Sequence, residues 1–209
     1  SVFTAPNRNF VGDDFNFAPV GTNPAATVDN LVLGYYYNSN TIQDFDIQIS
    51  IYKDMDLVTT DPTTHVLSNL AYTTTYRVKA ADIAVGANET QSIDVGGFFL
   101  GSVDNTATSN HGIELKFLNA GTSDLSSSVT ALFKGDMNPT VGESADVYYR
   151  ESNGNGFLDG GDARNFASSN LKANLYMRMN GDIQAVPEPA SMTALALGGL
   201  AMLRRRKRS

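Results

Sequence analysis

The sequence predicts an all-β fold, a jelly-roll-like sandwich of two sheets, and three observations carry that expectation. Several short segments alternate apolar and polar residues with a period of two. The intervals between them are rich in Asn, Asp, Ser, Thr and Gly, and no stretch before residue 186 has helical periodicity long enough for a helix. Residues two apart share one face of a strand, so each alternation marks a half-buried strand and each polar interval a turn.

In chain order, Phe10 to Phe17 reads as a short strand, with Phe15 and Phe17 two apart after Gly12-Asp13-Asp14. Thr27 to Tyr37 puts Leu31, Leu33, Tyr35 and Tyr37 on one face and Val32 and Tyr36 on the other, as a more central strand would. Phe45 to Ile51 alternates strictly and aims four large side chains at one face. Lys53 to Thr64, with Asp54, Asp56, Asp61 and Pro62, reads as a loop. Tyr76 to Lys79 and Ile93 to Val95 resume the strand pattern, and Gly96-Gly97 marks a bend before Phe98-Phe99-Leu100. Beyond a polar loop from Gly101 to His111, strands are expected at Ile113 to Phe117, Val129 to Phe133 and Val147 to Arg150. The last is Leu171 to Met179, with Leu171, Ala173, Leu175, Met177 and Met179 on one face, leading into Gly181-Asp182. About nine short strands at turn-punctuated spacing suit a sandwich.

The chain changes character after residue 185. Pro187 and Pro189 in Val186-Pro187-Glu188-Pro189 remove backbone donors and force extended backbone, so residues 1–185 form one domain and residues 186–209 a separate tail. An uncharged apolar run follows, Met192 to Leu203 with Leu195, Leu197 and Leu200. Counted from Ala190 it gives a helix of roughly 21 Å at about 1.5 Å per residue, short of the ~30 Å bilayer core. Arg204, Arg205, Arg206, Lys207 and Arg208 close it; such a cluster favours a cytoplasmic end, and its long stems snorkel to extend the span.

This order of Pro-Glu-Pro motif, short hydrophobic segment and terminal basic cluster resembles the PEP-CTERM sorting signal of Gram-negative bacteria. The resemblance covers Val186 to Ser209 and implies export, an intermediate tethered to the inner membrane, and recognition of Pro187, Glu188 and Pro189 by an exosortase-type enzyme. It further implies delivery to the cell surface or outside, in bacteria that make exopolysaccharide. A chain starting at Ser1 with no basic-then-apolar leader is expected to have been trimmed of a signal peptide.

Five of the 15 Lys and Arg lie in the tail, leaving residues 1–185 with 10 against 21 Asp and Glu. That negative field excludes nucleic acid as an expected partner. The absence of Cys excludes thiolate zinc sites, redox chemistry and Cys nucleophiles.

One stretch has metal-ligand spacing. Counted from Glu151, oxygen-bearing residues fall at places 1, 3, 5, 9 and 12 as Glu151, Asn153, Asn155, Asp159 and Asp162, with Gly156 at place 6 and the Phe157 carbonyl at place 7. This resembles the calcium loop of EF-hands and dockerins. It departs from that pattern with Glu at place 1, Asn at 3 and 5, and Asp at 12, and it lacks a second loop. A Gly/Asn-rich hairpin loop and a structural calcium site are the two readings.

Catalysis is not expected. His65 and His111 are far apart and read as surface or loop residues, and Gly142-Glu143-Ser144-Ala145-Asp146 lacks the second Gly of a nucleophile elbow. Tyr35-Tyr36-Tyr37 and Tyr148-Tyr149 put rings on both strand faces, which makes Tyr36 and Tyr148 the candidates for stacking on sugar. The expected function is a non-catalytic structural or adhesive role at the cell surface or in the matrix. The alternatives are a carbohydrate-binding module for the matrix polysaccharide and, third, a hydrolase acting on it.

Overall fold

The computed structural model describes residues 2–3, 8–16, 24–102, 111–136, 147–164 and 172–185. The sorting motif, membrane segment and basic cluster of the tail lie outside the described residues, as do Phe17 and Leu171. The described chain is β1 (Val2–Phe3), β2 (Phe10–Phe15), β3 (Pro24–Tyr37), β4 (Phe45–Met55), β5 (Leu67–Val78), β6 (Asn88–Ser102), β7 (His111–Asn119), β8 (Val129–Ala131), β9 (Phe133–Asp136), β10 (Tyr148–Arg150), β11 (Ala163–Arg164), β12 (Lys172–Leu175) and β13 (Met177–Ala185). Two short 3-10 turns, Ala80–Asp82 and Gly160–Asp162, complete it.

The fold is a two-layer antiparallel β-sandwich. One layer is a six-stranded sheet ordered β11-β10-β2-β7-β4-β5. Its central register is fixed by the alternation seen in the sequence: Ile47, Ile49 and Ile51 of β4 stand opposite Phe117, Leu115 and Ile113 of β7, and all six are buried. A one-residue slip of β4 would turn its three isoleucines away from the space between the layers.

The other layer is built around β3. Its first part pairs with β13 and its last three residues, Tyr35 to Tyr37, with β8, while β6 runs along its other edge. The change of partner occurs at Gly34, whose N–H donates to Tyr176 O (2.8 Å) while its O accepts from Leu132 N (3.1 Å); Tyr176 N donates to Leu132 O (2.9 Å). Leu132 separates β8 from β9 and Tyr176 separates β12 from β13, and past them β9 pairs with β12 and β1. A Cβ on Gly34 would stand 2.8 Å from the Tyr176 ring, so the fork closes only around glycine.

Several elements run further than the alternation predicts. β4 continues through Lys53 to Met55, β5 begins at Leu67 rather than Tyr76, and His111 opens β7 instead of ending a loop. Gly96-Gly97 is not a bend between strands. Both glycines have positive φ (69° and 75°) and sit within the uninterrupted β6, whose register against β3 shifts there. Gly181-Asp182 lies inside β13, at another register shift, rather than ending the domain's last strand.

Two apolar cores lie back to back on the six-stranded sheet. The larger fills the space between the layers; the smaller lies on the outer face and joins Phe10, Met55, Val66, Leu67, Tyr149 and Leu158. The segments 56–66 and 151–162 roof it, tied by hydrogen bonds from Val66 N to Leu158 O (2.9 Å) and Gly160 N to Asp61 O (3.1 Å). This outer core is what holds the candidate site in place.

Candidate functional site

The loop from Glu151 to Asp162 closes on Asp159, which is fully buried. Asp159 Oδ2 accepts from the side-chain amides of Asn153 (2.7 Å) and Asn155 (2.6 Å), and Oδ1 accepts from Gly161 N (2.7 Å). Asp162, equally buried, takes Ser152 N (3.0 Å) and Ser152 Oγ (2.9 Å) on one oxygen and Asp159 N (3.4 Å) on the other, a capping box for the short Gly160–Asp162 turn. Burial raises the Asp162 carboxyl above the usual range, against the lowering effect of its hydrogen bonds. The Asn153 and Asn155 oxygens receive the backbone N–H two residues on, and the Glu151 carboxylate receives Gly154 N. Gly154 and Gly156, with φ of 77° and 85°, supply the left-handed backbone these tight turns require.

Of the six calcium positions read from the spacing, the structure brings Asn153, Asn155 and Asp159 together and turns Glu151 and Asp162 to backbone donors. The loop is thus closed by its own hydrogen bonds, as a hairpin loop would be. Among the described residues, no group of three or more His, Cys, Asp or Glu is gathered as in a site built from those side chains alone; the calcium reading rests also on Asn and backbone oxygens.

Beside this loop is a cluster that sequence reasoning missed. On the outer face of β7, the Glu114 side chain is 6% exposed, with Oε2 3.5 Å from His65 Nε2 and Oε1 3.4 Å from Lys116 Nζ. The Lys116 ammonium lies over the Phe10 ring, 4.2 Å from its centroid. His65 is wedged edge-on between the rings of Tyr52 (5.7 Å) and Phe157 (5.8 Å), so a loop residue from each roofing segment meets here. Burial, with the Glu114 charge second, pushes the Tyr52 phenol up to about 12. The Ile113-Glu114-Leu115-Lys116 alternation was the available signal for two members; the arrival of His65 had none.

Register extends the polar face. Gln48 stands between Thr75 and Lys116, and Ser50 between Thr73 and Glu114, forming two rows across β5, β4 and β7. Chemically this is a hydrogen-bonding and charged face edged by aromatic rings, in which Ser50 and Glu114 are buried while Gln48, Lys116, Thr73 and Thr75 reach solvent; it sets one carboxylate against two basic groups, unlike the paired carboxyls of a glycosidase.

The tyrosine candidates divide. Tyr36 faces outward, half-buried, between the core residues Tyr35 and Tyr37. Tyr148 is corrected: it is 6% exposed, inside the main core against Phe133, while Tyr149 fills the outer core, so neither face of β10 offers a ring. His111 is likewise no surface residue. It is 4% exposed, with Nδ1 2.8 Å from Lys53 O, and burial lowers its pKa.

The architecture defines a class, a β-sandwich body whose last strand among the described residues ends at Ala185, where the sequence turns to a short apolar and basic tail. Residues 185–208 match the family model of the PEP-CTERM protein-sorting motif. The motif supports export through a membrane-anchored intermediate, sorting by the C-terminal tail and processing by an exosortase. The match covers the tail and none of the sandwich before Ala185. No curated protein and no solved structure matches the chain.

Proposed function

We propose that this is a non-catalytic structural or adhesive protein of the cell surface or exopolysaccharide matrix, delivered there by its tail. The observation that carries the reading is how the body employs its acids. Asp46 grips Arg77 and Gly121 N, Asp44 holds Lys79 and Ala80 N, and Asp159 and Asp162 tie their loop. Carboxylates so engaged brace a scaffold rather than move protons. The test is fractionation of a producing cell that expresses the tagged full chain or its Glu188→Ala variant. Wild type in the surface or matrix fraction, with the variant held at the inner membrane, is the expected result. Release of reducing sugar from the matrix by purified chain would instead make it a hydrolase.

A second reading, binding of the matrix polysaccharide, is favoured by the polar rows of the six-stranded sheet and the rings beside them. Hydroxyl-rich chains suit a surface of amide, hydroxyl and charged groups flanked by aromatic edges. Saturable binding of the full chain to the producer's exopolysaccharide, weakened by Gln48→Ala and Lys116→Ala, supports this reading; weakening by Tyr36→Ala instead moves the site to the other layer. No binding leaves the structural role.

A further inference from the structure

Arg8, which precedes β2, enters the space between the layers and is 7% exposed. Its guanidinium lies against the rings of Phe133 (4.8 Å) and Tyr148 (5.2 Å), and Nη2 donates to the Tyr148 hydroxyl (3.1 Å). The chain is held there by Ala131 N, which donates to Arg8 O (2.9 Å). Nε and Nη1 are buried and have no hydrogen-bond partner.

A guanidinium keeps its charge, and Nε and Nη1 together carry three N–H bonds. A buried cation with those bonds unmade is expensive, and contact with two aromatic faces returns only part of the cost. Among the described residues no carboxylate is within ion-pair distance of Arg8. Asp13, paired in register with Tyr148, is buried too, but its oxygens accept from Leu175 N (2.6 Å) and Asp14 N (3.0 Å). Burial, with the Asp14 charge second, holds its carboxyl well above the usual range.

We propose that Arg8 is the anchor of an anion site within the sandwich, taking a small carboxylate at its free N–H groups beside Phe133 and Tyr148. The carboxylate is that of a free organic acid or of an acidic sugar. This site is separate from the outer polar face and stands or falls independently of polysaccharide binding there.

The experiment is thermal melting of the full chain in mild detergent at constant ionic strength, replacing sodium chloride with sodium acetate or sodium glucuronate, with glucose as the uncharged control. Acetate and glucuronate should each raise the midpoint saturably, by about 5 °C at concentrations far above Kd, and glucose should not. A rise with acetate alone supports the site and restricts it to small free acids. Arg8→Met should abolish the rise, and Arg8→Lys, which keeps the charge but loses the planar donor set, should reduce it. No rise with either carboxylate in the wild type, or an equal rise in Arg8→Met, overturns the proposal; the wild-type titration decides even if a variant fails to fold.

Discussion

Asp46 shows how single residues brace this fold. Its carboxylate takes Arg77 through Nε (2.7 Å) and Nη2 (2.8 Å) and Gly121 N (2.8 Å), and the Arg77 hydrogen bond is the main reason its pKa is lowered. Because the folded pKa lies below the unfolded value of 3.8, its stabilising contribution is fully present above that value. It is lost as pH falls from there through the folded pKa. Asp46→Asn should therefore be less stable at neutral pH and show a shallower loss on acidification, measured by denaturant unfolding at successive pH values; parallel curves for the two proteins would refute it. Asp159 is the corresponding hub of its loop, and Asp159→Ala should cost about 1–2 kcal/mol by removing the acceptor shared by the Asn153 and Asn155 amides and Gly161 N. Melting in calcium and then in chelator separates the two readings of that loop: a loop closed by its own donors should give one midpoint, and a calcium-dependent rise would show that it binds the ion.

At the scale of elements, the open side between the edge strands β5 and β6 is closed by Tyr72 and Phe98, stacked at 4.4 Å with planes 10° apart. A double-mutant cycle with Tyr72→Ala and Phe98→Ala should give a coupling of about 1 kcal/mol, and additivity would show that the stack closes nothing. Gly34→Ala should lower stability by about 1–3 kcal/mol by forcing Tyr176 out of the fork. Legibility in the sequence followed burial. Phe45 to Ile51 was plain because one face is sealed against the other layer. Leu67 to Thr75 was not, because an edge strand rich in exposed Ser, Asn and Thr has little alternation to display. The spacing of Asn153, Asn155 and Asp159 was legible because those residues meet within one loop. The meeting of His65 with Glu114 was hidden, since it depends on a loop folding back over a sheet. Tyr148 and Tyr149 misled for a related reason: alternation shows that two rings face opposite ways, but not that both sides are covered.

For the whole molecule, the two cores differ in how firmly they are enclosed. The inner one is held by long strands in register, the outer one by two loops resting on the sheet. Hydrogen exchange should accordingly find the amides of Val66 and Gly160 opening before those of Ile49 and Leu115, and uniform protection would mean that loops and sheet open as one unit. The last strand adds a mechanical consequence. β13 runs antiparallel to β3 as far as the rung Ala185–Pro24, and the sorting motif begins at Ala185. While the tail is anchored, any drag on the body loads that rung first. Proline has no N–H to give, so this outermost rung among the described residues lacks one possible bond and yields before its neighbours. Peeling would then advance rung by rung to the register shift at Asn180/Gly181, which makes β13 a graded tether that gives way from the membrane end while the isoleucine-rich centre of the sandwich stays closed.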